Sequence, residues 1–259
     1  MKTVLAVTVG LAASGLGAQA EEINVMSWGG AVAAAQMEAY HKPYMAETGI
    51  KINSIDADNP AVPIKAQVEV GNVTVDIADV EPSDLVRLCD EGLLEQLPIE
   101  ELPDGIDGTK AADDFIEGGL YDCGVGILVY STVIGYRGDQ LEGVMSASDF
   151  FDLEKFPGKR GLRKGAKFSL ELALMADGVE PADVYTVLAA PEGVDRAFAK
   201  LDTIKNDTVR WEAGAQPVQL LADGEVVMTT AYNGRLFDAA INENKPRDGP
   251  EFSTSLPLS

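Results

Sequence analysis

Histidine is almost missing from this chain: His41 is the single one in 259 residues. That removes the usual base of a Ser-His-Asp triad and the ligands of a histidine-rich metal site. His41 precedes Pro43 in a predicted helix and reads as a solvated surface residue. There is no H-E-x-x-H, no C-x-x-C and no Walker A motif. Gly158-Lys159-Arg160 lacks the upstream glycine and the hydroxyl residue of a P-loop. Gly124-Val125-Gly126 precedes a predicted strand, where a dinucleotide fingerprint would follow one. Positive charge is the second shortage, with 20 Lys and Arg against 42 Asp and Glu and a formal net charge of −22. No basic stripe is left to neutralise phosphates, which argues against nucleic acid as a partner. The negative field suits a cationic ligand, although most of the carboxylates read simply as solubilising. Long apolar runs are also lacking. Residues 4–16 are apolar but short and broken by Gly and Ser, which does not suit a membrane span. With Lys2 before them and Ala18-Gln19-Ala20 after, residues 1–20 resemble a cleaved secretory leader, so the mature chain is expected to begin at Glu21 in the periplasm. Only Cys89 and Cys123 are present. In an oxidising compartment they are expected to pair, the rival being two separate buried thiols.

What is present is a strand–helix alternation. Residues 23–28 (INVMSW), 50–55 (IKINSI) and 75–80 (VDIADV) read as strands, each followed by a helical pattern. That order implies a parallel sheet with helices on its faces. The helix at residues 32–47 should kink or break at Pro43, with Ala33, Met37, Tyr40 and Tyr44 facing the core. Residues 125–130 (VGILVY) form a continuous apolar run, which suggests a strand buried on both faces. Residues 208–235 read as strand, turn, short helix, strand and turn, with Asn233-Gly234 closing the last strand. From Lys245 the pattern fails, and an unstructured tail is expected.

Aromatic residues at strand ends carry the functional signal, because α/β sheets bind ligands beyond the carboxyl ends of their strands. Trp28 ends the first strand, and Gly29-Gly30 after it leaves backbone N–H groups approachable. Glu81 and Ser83 follow the third strand, and Trp211 and Tyr232 end two later ones. Core packing is the competing role for each aromatic.

The strand-Trp-Gly-Gly start, DIADVEPSDLVRLCDEGLLEQL, FFDLEKFPGKRGLR and WEAGAQPVQLLADGEVVMTTAYNGR resemble the periplasmic solute-binding proteins of ABC importers, nearest to the spermidine/putrescine-binding branch. The resemblance implies an α/β fold of two hinged lobes, of the type II periplasmic-binding-protein kind. Residues 21–129 would form the first lobe and residues 130–232 the second. Residues 233–259 would return to the first lobe and end in the tail, shorter than in the family, so that the first lobe is left incomplete. It also implies a monomer that needs no cofactor, traps a small solute and docks on a membrane permease. Trp28, Trp211 and Tyr232 would flank the solute, with Glu81 or Asp84 at a cationic end. Where polyamine binders place acidic residues, this chain has Gly165, Lys167 and Phe168, and Phe168 is expected to line the ligand site. An amino-acid derivative or another amine therefore stands beside a polyamine as the solute. The alternatives to a receptor are a secreted α/β hydrolase using carboxylates and a relative that binds nothing.

Overall fold

Short β-rich runs closed by glycine turns become strands, and the apolar helical stripes between them cover the sheets. The computed structural model describes residues 22–243 and 252–257. The expected leader at residues 1–20 lies outside them. Strands β1 (Glu22–Ser27), β2 (Lys51–Asp56) and β3 (Ile77–Ala78) pair in parallel in the order β2-β1-β3. Strands β4 (Leu120–Tyr121) and β5 (Gly124–Val125) make a small hairpin. Strands β6 (Thr132–Arg137), β7 (Arg160–Arg163), β8 (Thr208–Trp211), β9 (Met228–Tyr232) and β10 (Phe252–Pro257) form a second, mixed sheet in the order β10-β6-β9-β7-β8. The architecture is mixed α/β with two lobes, one built on each of these larger sheets.

The two lobes differ in core. In the first, Ala61, Ile64 and Leu88 are buried, with Val68, Ala78 and Leu94 packed against them. Cys89, on the helix Pro82–Asp90, is disulfide-bonded to Cys123 in the β4–β5 turn. The second sheet is covered on both faces. Phe150, Leu162, Leu172, Leu174, Ile204 and Met228 belong to one cluster. Val133, Leu221, Val226 and Leu236 belong to the other. Arg160 is fully buried in this lobe. Its guanidinium donates to the carbonyls of Phe150 at 2.7 Å, Asp152 at 3.1 Å, Phe156 at 2.6 Å and Gly158 at 2.7 Å. The loop around Pro157-Gly158 is thus wrapped on one side chain, which meets the demand that buried polar groups be hydrogen-bonded.

Several sequence expectations are corrected. The interruption comes before Pro43 and is a π-turn at Met37–His41, which joins the helices Gly30–Gln36 and Lys42–Thr48. An extra residue per turn rotates the following side chains, and Pro43 has no N–H to restore the α-register. Tyr40 and Tyr44 are exposed, while Gln36 and His41 are buried in their place. The apolar run at residues 125–130 is not a two-face-buried strand. Only its first residue lies in β5, and Ile127, Leu128, Val129 and Tyr130 are exposed. Apolar composition proposes burial, but here the segment does not pair with β3, the edge of the first sheet. The region beyond Asn233 also differs from a return followed by a tail. The helix Asn233–Glu243 packs against β9 and β6, and β10 pairs antiparallel with β6. A sheet edge recruits an extended segment through backbone bonds, with no need for a side-chain period.

The connection between lobes is stapled. Asn233 N donates to Ser131 O at 2.9 Å, and Ser131 N donates to Asn233 Oδ1 at 3.0 Å. The segment entering the second sheet and the segment leaving β9 are held side by side.

Candidate functional site

Four strands send their carboxyl ends to one place. Trp28 follows β1, Asp56 ends β2, Gly214 follows β8, and Arg235 lies one helical turn beyond β9. Between them is a cavity of about 310 Å³, at the lower end of the range typical of small-molecule sites. The first lobe contributes Trp28, Gly29, Gly30 and the loop from Asp56 to Asp58. The second contributes Ala213, Gly214, Ala215 and Arg235.

Arg235 is the central feature. It is 8% exposed, and among the described residues no carboxylate pairs with it. Its Nη2 donates to Trp28 O at 3.0 Å and Gly29 O at 3.1 Å, while Nε is buried with no partner. Burial pulls the guanidinium below its ordinary value, opposed by the fields of Tyr232 and Asp56. The Trp28 and Gly29 carbonyls thus hold the guanidinium, a role for this turn that the sequence did not suggest. Both glycines have positive φ, 64° and 59°. A Cβ on Gly30 would stand 2.9 Å from Arg235 Nη1, and one on Gly214 would stand 3.0 Å from Arg235 Nε. Only glycine leaves the guanidinium this room. Asp56, beside Gly29, and Asp58 are exposed on the first-lobe side, so one cavity holds a buried cation and two accessible carboxylates.

A second charged cluster crosses the lobes nearby. Glu81 accepts from Arg163 Nη1 at 3.0 Å, from Lys167 Nζ at 2.6 Å and from Tyr130 Oη at 3.1 Å. Asp84 accepts from Lys167 Nζ at 2.7 Å. Burial pushes the Glu81 carboxyl upward, but the Lys167 hydrogen bond and the fields of Arg163 and Lys167 outweigh it and hold Glu81 below its ordinary value. Burial and the Glu81 charge push the Tyr130 phenol up. Tyr232 stands between the two centres. The Arg163 guanidinium lies 6.0 Å from its ring centroid, and its other contacts reach Gly214 beside Arg235.

The sequence-singled residues separate accordingly. Trp28 lines the cavity. Tyr232 backs it behind Gly214, with Tyr130 and Trp211 edge-on at centroid distances of 5.4 and 5.9 Å. Trp211 is buried, and its indole Nε1 has no partner among the described residues. Glu81 is occupied by the cross-lobe cations. Ser83 is exposed on the helix Pro82–Asp90 and does not line the cavity. Phe168 has φ 66° and packs against the second lobe's core, which takes it away from the ligand wall. Sequence reasoning missed Asp56, Asp58, Arg163 and Arg235. The rule that found Trp28, that ligands lie beyond strand ends, applies equally to Asp56 and Arg235.

Residues 39–257 match the family described as bacterial extracellular solute-binding protein. A gamma-aminobutyric acid-binding protein of Pseudomonas aeruginosa is 47% identical over 225 residues, covering 86% of this chain and 61% of its own length. The solved binding protein MotA of A. tumefaciens B6, in complex with glucopine, superposes with a TM-score of 0.80 at 33% identity, covering 90% of this chain and 68% of its own. The Atu4243 GABA receptor superposes with a TM-score of 0.73 at 35% identity, covering 91% and 68%. The chain thus spans 61% of the length of the Pseudomonas relative.

Proposed function

The chain belongs to the bacterial extracellular solute-binding proteins, and from that premise we propose that it is a periplasmic receptor for a small zwitterionic amino acid. The γ-aminobutyrate type fits best. The receptor closes its lobes on the solute and presents it, as a monomer, to an ABC permease. One observation carries this reading: Arg235 is buried in the cavity wall with a free Nε and no carboxylate partner among the described residues. A buried guanidinium without a counter-charge is costly, and a solute carboxylate removes that cost with charge-assisted hydrogen bonds. Asp56 and Asp58 supply the opposite pole for an ammonium group. A zwitterion has no net charge, so the field of a chain at −22 does not repel it as it would a simple carboxylate. Trp28 forms an apolar side of the cavity for the methylene chain.

Two similar proteins are named for GABA binding, which supports the same chemical class. A polyamine dication fits less well, because it leaves Arg235 unpaired and repels it. The carboxylate-dependent hydrolase also loses ground, since the similar proteins named above are binding proteins.

Isothermal titration calorimetry tests the reading. GABA is expected to bind the chain from Glu21 onward. Arg235→Gln is expected to weaken it by roughly 10- to 100-fold, the worth of hydrogen bonds to a charged group. Binding of spermidine or putrescine in place of GABA, or unchanged affinity in Arg235→Gln, would overturn it.

A further inference from the structure

We infer that Glu81 is a specificity residue that restricts the cleft to solutes with a single carboxylate. The inference rests on the reading that Arg235 binds the solute carboxylate. The second lobe brings three cations towards the cleft: Arg163, Lys167 and Arg235. Two of them are already neutralised by the first lobe. Glu81, buried to 7% exposure, engages Arg163 at 3.0 Å and Lys167 at 2.6 Å, and Asp84 takes Lys167 at 2.7 Å. Glu81 has no spare orientation, since Tyr130 Oη also donates to it at 3.1 Å. Arg235 alone of the three lacks an ion pair among the described residues. Tyr232 separates the two cationic centres, with Arg163 on its ring and Gly214 and Arg235 beyond it.

The consequence is chemical. A solute with one carboxylate and one ammonium finds Arg235 and the Asp56–Asp58 wall. A second carboxylate on the solute would approach Arg163 and meet Glu81 in its place, so that like charges are juxtaposed. Discrimination of this kind works by building repulsion against the wrong ligand. The same lobe surface without the Glu81 charge would offer Arg163 as a second cation, with Lys167 left to Asp84, and a dicarboxylate would suit it.

Glutamate and GABA make the required probe pair, since they differ by one carboxylate. Calorimetry on the same chain at pH 7 and low salt would compare their affinities in the wild type and in Glu81→Gln. The wild type is expected to prefer GABA, and Glu81→Gln to narrow the GABA-to-glutamate ratio by about tenfold or more, mainly by gaining glutamate affinity. Asp84→Asn frees Lys167 less directly and is expected to move the ratio the same way by a smaller factor. It decides the matter if Glu81→Gln melts below the assay temperature. An unchanged ratio in the variants, or an equal loss for both ligands, would reduce Glu81 to a structural tie and overturn the inference while leaving the GABA reading intact. Failure of the wild type to bind either probe would overturn both.

Discussion

Two buried arginines in the second lobe show how a residue's partners decide its role. Arg160 donates to four backbone carbonyls and lies in a closed network. Burial lowers its pKa to about 10, with the fields of Asp207 and Asp152 opposing, so it remains charged at neutral pH. Arg235 donates to two carbonyls and keeps an unpaired Nε at a cavity. The first is therefore structural and the second is poised for a ligand. Arg160→Met is expected to lower unfolding stability by at least about 3 kcal/mol, because several buried carbonyls lose their donor at once. Urea denaturation reads this, and ligand affinity in the folded fraction should stay near wild type. Gly30→Ala is expected to do the reverse. Its φ of 59° and the 2.9 Å approach to Arg235 Nη1 force the guanidinium to shift. Stability should fall by only about 1–3 kcal/mol, while calorimetry should find affinity for a carboxylate ligand reduced at least about tenfold.

At the scale of elements, the two lobes have unequal means of holding together. The second sheet is packed on both faces, whereas the first lobe has a small buried cluster and one covalent staple. The Cys89–Cys123 bridge spans 34 residues, and in the chain-entropy model such a loop contributes roughly 4 kcal/mol. Reduction is therefore expected to loosen the first lobe selectively. Hydrogen exchange under reducing conditions should lose protection in the helix Pro82–Asp90 while β7 and β9 keep theirs; equal loss in both lobes would contradict this. The strands ending at Trp28 and at Tyr232 were legible because their signals are local: β-rich runs closed by glycine-containing turns. The faces of the first helix were not legible. The π-turn at Met37–His41 reassigns which side chains are buried, and nothing in a 3.6-residue period announces it. The exposed run at residues 127–130 failed for a related reason, since strand pairing is decided by neighbours the run itself does not contain. Arg235 and Asp56 also follow strand ends, but in a chain with 20 basic and 42 acidic residues a charge at a strand end does not stand out as an aromatic ring does. Their meeting in one cavity is a tertiary fact.

The whole molecule is held across its cleft by two kinds of contact, and they respond differently to pH. Arg235 bonds to first-lobe carbonyls that do not titrate. The Glu81 and Asp84 carboxylates bond to second-lobe cations and do titrate. For both, burial raises the pKa but hydrogen bonding to Lys167 and nearby positive charge dominate, so both lie below their ordinary values. A carboxylate with a depressed pKa stabilises the state that depresses it above the ordinary pKa, and loses that contribution as pH falls through the lowered value. The cross-lobe tie is therefore complete at neutral pH and weakens below about pH 4.5, the ordinary value for Glu81. Salt should matter less for the Arg163–Glu81 pair, whose side chains are 15% and 8% exposed, than for the Lys167 pairs, whose lysine is 42% exposed. Ligand-free protein followed by small-angle scattering is expected to keep its dimensions from pH 7 to about 4.5 and to expand only as pH falls well below that, with the second lobe's near-UV signal from Trp211 retained. Glu81→Gln should begin more open at pH 7 and change less over the same range, because its tie is already broken. If wild type and Glu81→Gln expanded identically, the opening would belong to general acid titration of a chain with 42 acidic residues, and the cross-lobe cluster would have no special part in closure.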